Sequence, residues 1–389
     1  MSRTRSVEPR ICMPSWRNIS RRAHRCAFYE AEDVLAEIDD VDLICPDMGW
    51  GARVDEYWLR TPLYHDVTRK LVFANPGLRK VRLERHYDLL IAGFRTLWDV
   101  PYINAIQGWR DHCKISACWI GELWAAAVPD HKYWLPALTQ FDFVFLEFRD
   151  TVAALSNAIN RPCYWLPGAV DALRFSPLPR PPLRTIDMYS IGRRHEGIHR
   201  EMLEAAERRG LLYAHDTFAN LAMNEVHDYR EHRNLVANLA KRSRFFMVAS
   251  AKADAPDQRQ GQVDVGHRYY EGAAAGAALI GEAPASGAYR ELFPWQEAVI
   301  EVRPDGSDIL AVLDDLHSDP SRLAAISARN TREALLRHDW VYRWDTLFKI
   351  AGIQPSPGSG ARMQRLKDLA ELAGSAEQSE RFNRATEDA

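Results

Sequence analysis

The stretch Gly266-His-Arg-Tyr-Tyr-Glu-Gly-Ala-Ala-Ala-Gly-Ala-Ala-Leu-Ile-Gly-Glu282 decides how the rest of this 389-residue chain is read. A polar, aromatic opening runs into a helix of small residues, then a glycine stop at Gly276, then a short apolar strand ending at Gly281. A helix that slim can lie flat against a sheet, leaving its N-terminus to face a ligand. The first-turn amides of Gly266, His267 and Arg268, with a dipole worth about half a positive charge, make that end a seat for phosphate. Glu271 stands too far in to cap the helix, so its carboxylate can turn toward something that carries hydroxyls. The plainer reading of Glu271 is a surface carboxylate favoured by the dipole. Phosphate beside hydroxyls describes a nucleotide.

Outward from this stretch, short apolar runs alternate with helical patterns, the mark of α/β architecture. In the first half, strands are predicted at 10–16, 41–47, 87–94, 114–122, 142–148 and 163–166, with helices at 27–38 and 151–159 between them. Near-continuous apolar strands such as Phe143-Val-Phe-Leu146 suggest a parallel sheet covered on both faces. Then Phe175-Ser-Pro-Leu-Pro-Arg-Pro-Pro-Leu183 packs four prolines into nine residues, too many for a helix or an interior strand. Beyond it the pattern restarts, with strands at 185–191, 211–215, 244–249, 277–281 and 298–302. Helices are predicted at 198–209, 224–241, 307–317, 321–336 and 340–350.

The segment 266–282 resembles the nucleotide-binding segment in the C-terminal domain of GT-B glycosyltransferases. The likeness is greatest to the "glycosyl transferases group 1" branch that includes spore-maturation-like proteins. There an Arg-x-x-Glu-x-x-Ala-x-Gly run precedes a buried strand and its Glu holds the ribose of a sugar nucleotide; Arg268, Glu271, Ala274 and Gly276 match. Residues 165–177 are similar to the Pro-Asn-Gly-Val-Asp…Phe-x-Pro stretch that closes the first GT-B domain, with Gly168 in the Asn place and Ala169 interrupting.

The resemblance implies two facing Rossmann-like domains with a cleft between them and a C-terminal helix crossing back to the first. The expected division is 1–177 for an acceptor-side domain, 178–184 for the proline-rich linker and 185–339 for the nucleotide-sugar domain. The crossing helix is expected at 340–353 and a mobile tail at 354–389, with a weak helix at 362–373. It also implies roles. Gly192-Arg193, after a strand, would put Arg193 against the donor diphosphate; a guanidinium suits that task because it stays charged and forks onto oxygens. Relatives supply a Lys soon after, where this chain has Glu196-Gly197, so Lys252 is the expected substitute. The family pairs two glutamates separated by seven residues, and counting back from Glu271 reaches Val263. Asp264, or the amides around Gly266, would then make the donor-sugar contact. Arg268 and His267 would reach phosphate, His267 having the simpler reading of an N-terminal polar residue. Glu282 orients the diphosphate or caps the next turn. In the first domain, Glu122 ends a strand where it can bind an acceptor hydroxyl, act as base, or merely cap a helix.

The expected function is therefore a glycosyltransferase, hexosyltransferase-like, moving a sugar from a nucleoside-diphosphate sugar to a glycan, lipid-linked or small-molecule acceptor. It would act without metal or cofactor, in polysaccharide or glycoconjugate synthesis. A sugar-nucleotide epimerase of the same fold and a non-catalytic nucleotide-sugar binder are the alternatives.

Composition narrows the setting. Apolar residues make up 47% and charged ones 26%, as in a globular protein, and no apolar run reaches the roughly 20 residues of a membrane span. The N-terminus lacks the apolar core of a signal peptide. Six cysteines, all in the first half and none in a Cys-x-x-Cys pair, read as reduced packing residues of a cytoplasmic protein and not as a metal site. A net charge of −3 gives no reason to expect nucleic acid. Seven arginines against Glu8 in the first 25 residues form a basic patch, suited to an anionic membrane face or simply to a solvated loop.

Overall fold

The structure is a computed structural model that describes residues 9–49, 72–217 and 224–387, with side chains of the last helix described through 375. Two compact units are present, Met1–Pro167 with Arg343–Ser359, and Gly168–Tyr342 with Gly360–Ala389.

The first unit is built on a six-stranded parallel sheet ordered β2-β1-β4-β6-β7-β8. Its strands are β1 (Ile11–Pro14), β2 (Val41–Ile44), β4 (Tyr87–Phe94), β6 (Cys113–Ile120), β7 (Phe143–Leu146) and β8 (Cys163–Trp165). A separate parallel pair, β3 (Val81–Arg82) with β5 (Ile106–Gln107), was not foreseen; each is two residues long, too short to leave a periodic trace. Alternation along the strands sends Leu90, Ala92, Phe94, Cys118, Ile120, Val144 and Leu146 to one buried face. On the other face, helix α1 (Cys26–Ile38) stacks Phe28 on Trp119 with ring centroids 4.2 Å apart, and Trp344 meets Trp119 edge-on. Trp344 Nε1 donates to the Ala31 carbonyl at 3.1 Å.

Three arginines of the basic patch are paired within this unit. Arg10 pairs with Asp39, Arg17 with Glu32 and Asp33, and Arg25 with the buried Asp99. No local pattern announces these pairs, because the partners lie far along the chain. Arg3 and Arg5 lie outside the described residues. Among the described residues, no helix is long and apolar enough to cross a membrane.

The second unit holds a five-stranded parallel sheet ordered β10-β9-β11-β12-β13. These are β9 (Ile186–Ser190), β10 (Tyr213–His215), β11 (Ser243–Val248), β12 (Ala278–Gly281) and β13 (Ile300–Glu301). The principal helices following α1 are α2 (Arg149–Ile159), α3 (Glu196–Arg209), α4 (Tyr229–Lys241) and α5 (His267–Ala274). Beyond them come α6 (Ile309–Ser318), α7 (Pro320–Arg337), α8 (Trp340–Ala351) and α9 (Ser359–Glu387). Met188, Phe245, Met247, Ala278 and Ile280 face Ile198 and Met202 of α3 and Ile309 and Leu313 of α6. On the opposite face α5 lies close against β11 and β12. At Gly272 a Cβ would stand 2.5 Å from Leu279 and 2.9 Å from Phe246, so only glycine permits this approach.

Two boundaries differ from the expectation. The units divide at Pro167/Gly168, ahead of 177, because the following residues are tied to α7 and α8. Val170 exchanges backbone hydrogen bonds with His338 and Trp340, and the Asp339 carboxylate accepts from the Ala172 amide. The proline-rich stretch is irregular, as expected, but lies inside the second unit. The expected mobile tail is instead the helix α9, with Leu366, Ala370 and Ala373 buried and Arg362 held by Asp171 and Asp339 at 2.7 and 2.8 Å. Its apolar stripe consists mostly of alanine, too faint for a periodicity argument to catch.

Candidate functional site

In the second sheet, β9 lies between β10 and β11, so the chain runs outward in opposite directions from the β9–β11 boundary. Ligands of open parallel sheets bind at the carboxyl ends of the strands at such a switch point. The loop after β9 carries Gly192-Arg193-Arg194-His195, the loop after β11 carries Ser250 and Lys252, and α5 begins at the end of that second loop. Gly266 is the N-cap of α5, and its backbone runs close to Ala249 and Ala251 at the end of β11. At the far end of the helix, the half-buried Arg184 donates to the carbonyls of Ala275 at 3.0 Å and Gly276 at 2.8 Å, complementing the negative end of the dipole.

Glu271 is 1% exposed, which removes the surface reading. Its Oε1 accepts from Arg233 Nη1 at 2.5 Å and its Oε2 from Arg268 Nη1. Burial alone would raise its pKa; Arg268 and Arg233 overcome that and hold it down at about 2. The carboxylate is therefore ionised and fixed. Arg268 also leans on the loop after β9: a Cβ at Gly192 would stand 3.5 Å from its Nε and 3.6 Å from its Nη2. Gly192 has φ +84° and donates its amide to Asp216 at 2.5 Å, so the backbone there is both glycine-dependent and anchored.

Arg193 is 41% exposed, and its Nη1 donates to both carboxylate oxygens of Asp254 in the loop after β11, at 2.7 and 2.8 Å. Lys252 is half-buried in the same loop with φ +54°. Asp264 is buried and accepts from Gln262 at 2.5 Å, while its carbonyl accepts from the Ala251 amide; the side chain fastens the loop ahead of α5. His267, at the first turn of α5, packs with Tyr270 against the backbone of Gly168. In the first unit Glu122 follows β6, where Arg95 Nη2 donates to one oxygen at 2.7 Å and Trp124 Nε1 to the other at 3.1 Å.

The structure brings together Gly192, Arg193, Lys252, Gly266, His267, Arg268 and Glu271 at the carboxyl ends of β9 and β11. Two further groups were missed or left open. Glu282, after β12, accepts from the Ser250 hydroxyl at 2.7 Å and stands 3.5 Å from His195 Nε2, tying three strand ends together. His195 most of all, then Ser250 against the opposing effect of burial, keep its carboxyl at about 2. Arg233 had a legible signal: it occupies the same helical stripe as the buried Val236, Ala237 and Ala240. A charged residue on an apolar stripe needs a buried partner.

Residues 193–349 match the family described as Glycosyl transferase-like. Over these residues the chain is similar to that family. Arg193, Lys252, Asp264, Gly266, His267, Arg268 and Glu271 all lie within this segment, with Arg233 and Glu282; Gly192 immediately precedes it. No curated protein matches the chain. Among solved structures the chain is similar to an alpha-glucosyltransferase (AGT) in complex with UDP. They share 12% identity over 89% of this chain and 100% of that one, with a TM-score of 0.54. An alpha-glucosyltransferase in complex with UDP-glucose and DNA containing an abasic site also shares 12% identity, over 89% and 100%, at 0.53. A UDP-forming alpha, alpha-trehalose-phosphate synthase from Burkholderia xenovorans shares 13%, over 88% and 98%, at 0.51. Each unit carries a parallel α/β sheet, and the fold matches that of these GT-B neighbours.

Proposed function

We propose that this protein is a glycosyltransferase that moves a sugar from a nucleoside-diphosphate sugar to an acceptor hydroxyl. The observation that carries the reading is the union, at the switch point of the second sheet, of the α5 N-terminus, the Arg268 guanidinium and the ionised, buried Glu271. The complexes of the structural neighbours with UDP and UDP-glucose support UDP as the first base to test. Glu271 would hold the ribose. The bond between the anomeric carbon and the β-phosphate oxygen breaks with its electron pair leaving on the diphosphate, and a bond to the acceptor oxygen forms as the hydroxyl proton passes to a base. Arg193, Arg268 and the amides of α5 offset the leaving charge, with Lys252 in support, so no divalent ion or cofactor is required. Asp264 acts by shaping the loop ahead of α5, and Gly266 amides take the sugar-side contact that Val263 cannot make.

Glu122 is the first unit's candidate for the acceptor hydroxyl, held ready by Arg95 and Trp124. We assign the chain to the spore-maturation-like branch on the Arg268–Gly276 match, and its product to polysaccharide or glycoconjugate synthesis in the cytoplasm. Contact with the inner membrane face would rest on the basic N-terminal segment. The test is release of nucleoside diphosphate from UDP-glucose and other donors with and without an acceptor panel. Release that needs acceptor supports transfer, whereas binding with no release under any acceptor leaves only a nucleotide-binding protein.

A further inference from the structure

Both oxygens of Glu271 are covered by guanidinium groups, and the two groups differ in freedom. Arg233 comes from the middle of α4, is 3% exposed, and lies over the Phe175 ring with its guanidinium carbon 4.8 Å from the centroid. Arg268 sits three residues before Glu271 on the same helix, is 26% exposed, and turns its Nε–Nη2 edge toward Gly192 at the carboxyl end of β9. One arginine is built into the core of the unit; the other borders the ligand position.

We propose that Arg268 is an exchangeable clamp shared between Glu271 and the donor diphosphate, and that Arg233 is the positioning residue that keeps Glu271 in place during the exchange. The proposal rests on the nucleotide reading of this site. Without ligand, Arg268 covers Oε2. A diphosphate seated at the first turn of α5 offers that guanidinium several anionic oxygens in place of one, and a planar fork is suited to taking two at once. As Arg268 turns to it, Oε2 becomes an acceptor for a ribose hydroxyl, while Oε1 stays with Arg233. Ribose recognition then follows diphosphate recognition. A nucleoside without phosphates must displace a charge-assisted bond to reach Glu271, whereas the diphosphate does so in the act of binding. The two halves of the ligand are coupled through one side chain, and the site discriminates against free nucleosides by more than the missing phosphate contacts.

The test is calorimetry on the full chain with UDP, GDP and ADP, then with the nucleoside of whichever diphosphate binds, in wild type and Arg268→Gln. The clamp predicts opposite signs: diphosphate affinity falls at least ten-fold while nucleoside affinity rises at least three-fold. Equal weakening of both ligands, or an unchanged nucleoside, overturns it. Arg268→Lys covers the case in which the glutamine variant melts early; it should weaken the diphosphate less than glutamine does and leave the nucleoside near wild type. For Arg233→Lys, loss of the 2′- and 3′-hydroxyls should matter less than in wild type while the preference for diphosphate over nucleoside persists. A merely structural Arg233 would lower both together. Failure of the wild type to bind any of the three diphosphates overturns the nucleotide reading itself, a result distinct from same-sign changes in the variant.

Discussion

Arg233 Nη1 lies 2.5 Å from Glu271 Oε1, and this pair between α4 and α5 is almost wholly withdrawn from solvent. Two buried opposite charges attract strongly, but removing one partner leaves the other in a poorly solvating place. Arg233→Met should therefore lower stability by roughly 3 kcal/mol, read from urea denaturation. A loss below about 1 kcal/mol, typical of an exposed pair, would show that Arg268 alone suffices for Glu271.

Acid should weaken the same site in a defined window. The folded-state pKa of Glu271, about 2, lies below its ordinary value of 4.5, so the unfolded chain takes up this proton first as pH falls. The contribution is complete above about pH 4.5 and is lost as pH drops toward 2, on the order of 3 kcal/mol in all. The stability gap between wild type and Glu271→Gln should accordingly shrink between pH 5 and pH 3. A gap that stays constant across that range contradicts the assignment.

Much of this arrangement was legible in the sequence, and the limits have physical causes. The parallel strands stood out as apolar runs because both faces of each sheet are covered. Gly272 and the alanines of α5 announced a helix lying against the sheet. Neither the pairing of Glu271 with Arg233 nor that of Glu282 with Ser250 and His195 follows from local pattern, since the partners lie on other elements. The same holds for Arg25, which reads as solvated until Asp99 is placed against it. In α9 the alanine stripe carried too little hydrophobic contrast to declare a packed face.

That tail provides a further test. Arg362 is buried between Asp171 and Asp339, so Arg362→Ala leaves two carboxylates facing each other without their cation. A cost of about 3–5 kcal/mol is expected, with early loss of amide protection across Ser359–Glu387 in hydrogen exchange. Unchanged protection there would mean that Leu366 and its neighbours hold the helix alone.

Arg193 bears on the chemistry. Its exposed pair with Asp254 contributes no more than about 1 kcal/mol, weak enough to be exchanged for a diphosphate. If it offsets charge that grows as the glycosidic bond breaks, Arg193→Ala should lower turnover by on the order of a hundred-fold with a smaller change in donor affinity. Arg193→Lys should recover only part, because a point charge replaces a two-pronged donor. A raised Michaelis constant at unchanged turnover would shift the leaving-group role to Lys252. With side chains and amides offsetting the leaving charge, turnover should also persist in EDTA; activity lost on chelation and restored by magnesium or manganese would refute that role for them.

The most direct measurement is the affinity of Glu271→Ala for the nucleoside diphosphate, set beside that of wild type for the same ligand lacking its 2′- and 3′-hydroxyls. If Glu271 holds the ribose, both changes remove the same bonds. Each should weaken binding by roughly 1.5–3 kcal/mol, about ten- to a hundred-fold, and the dideoxy ligand should bind the variant no more weakly than the parent nucleotide does. A variant that still distinguishes the two ligands as wild type does would contradict the central claim.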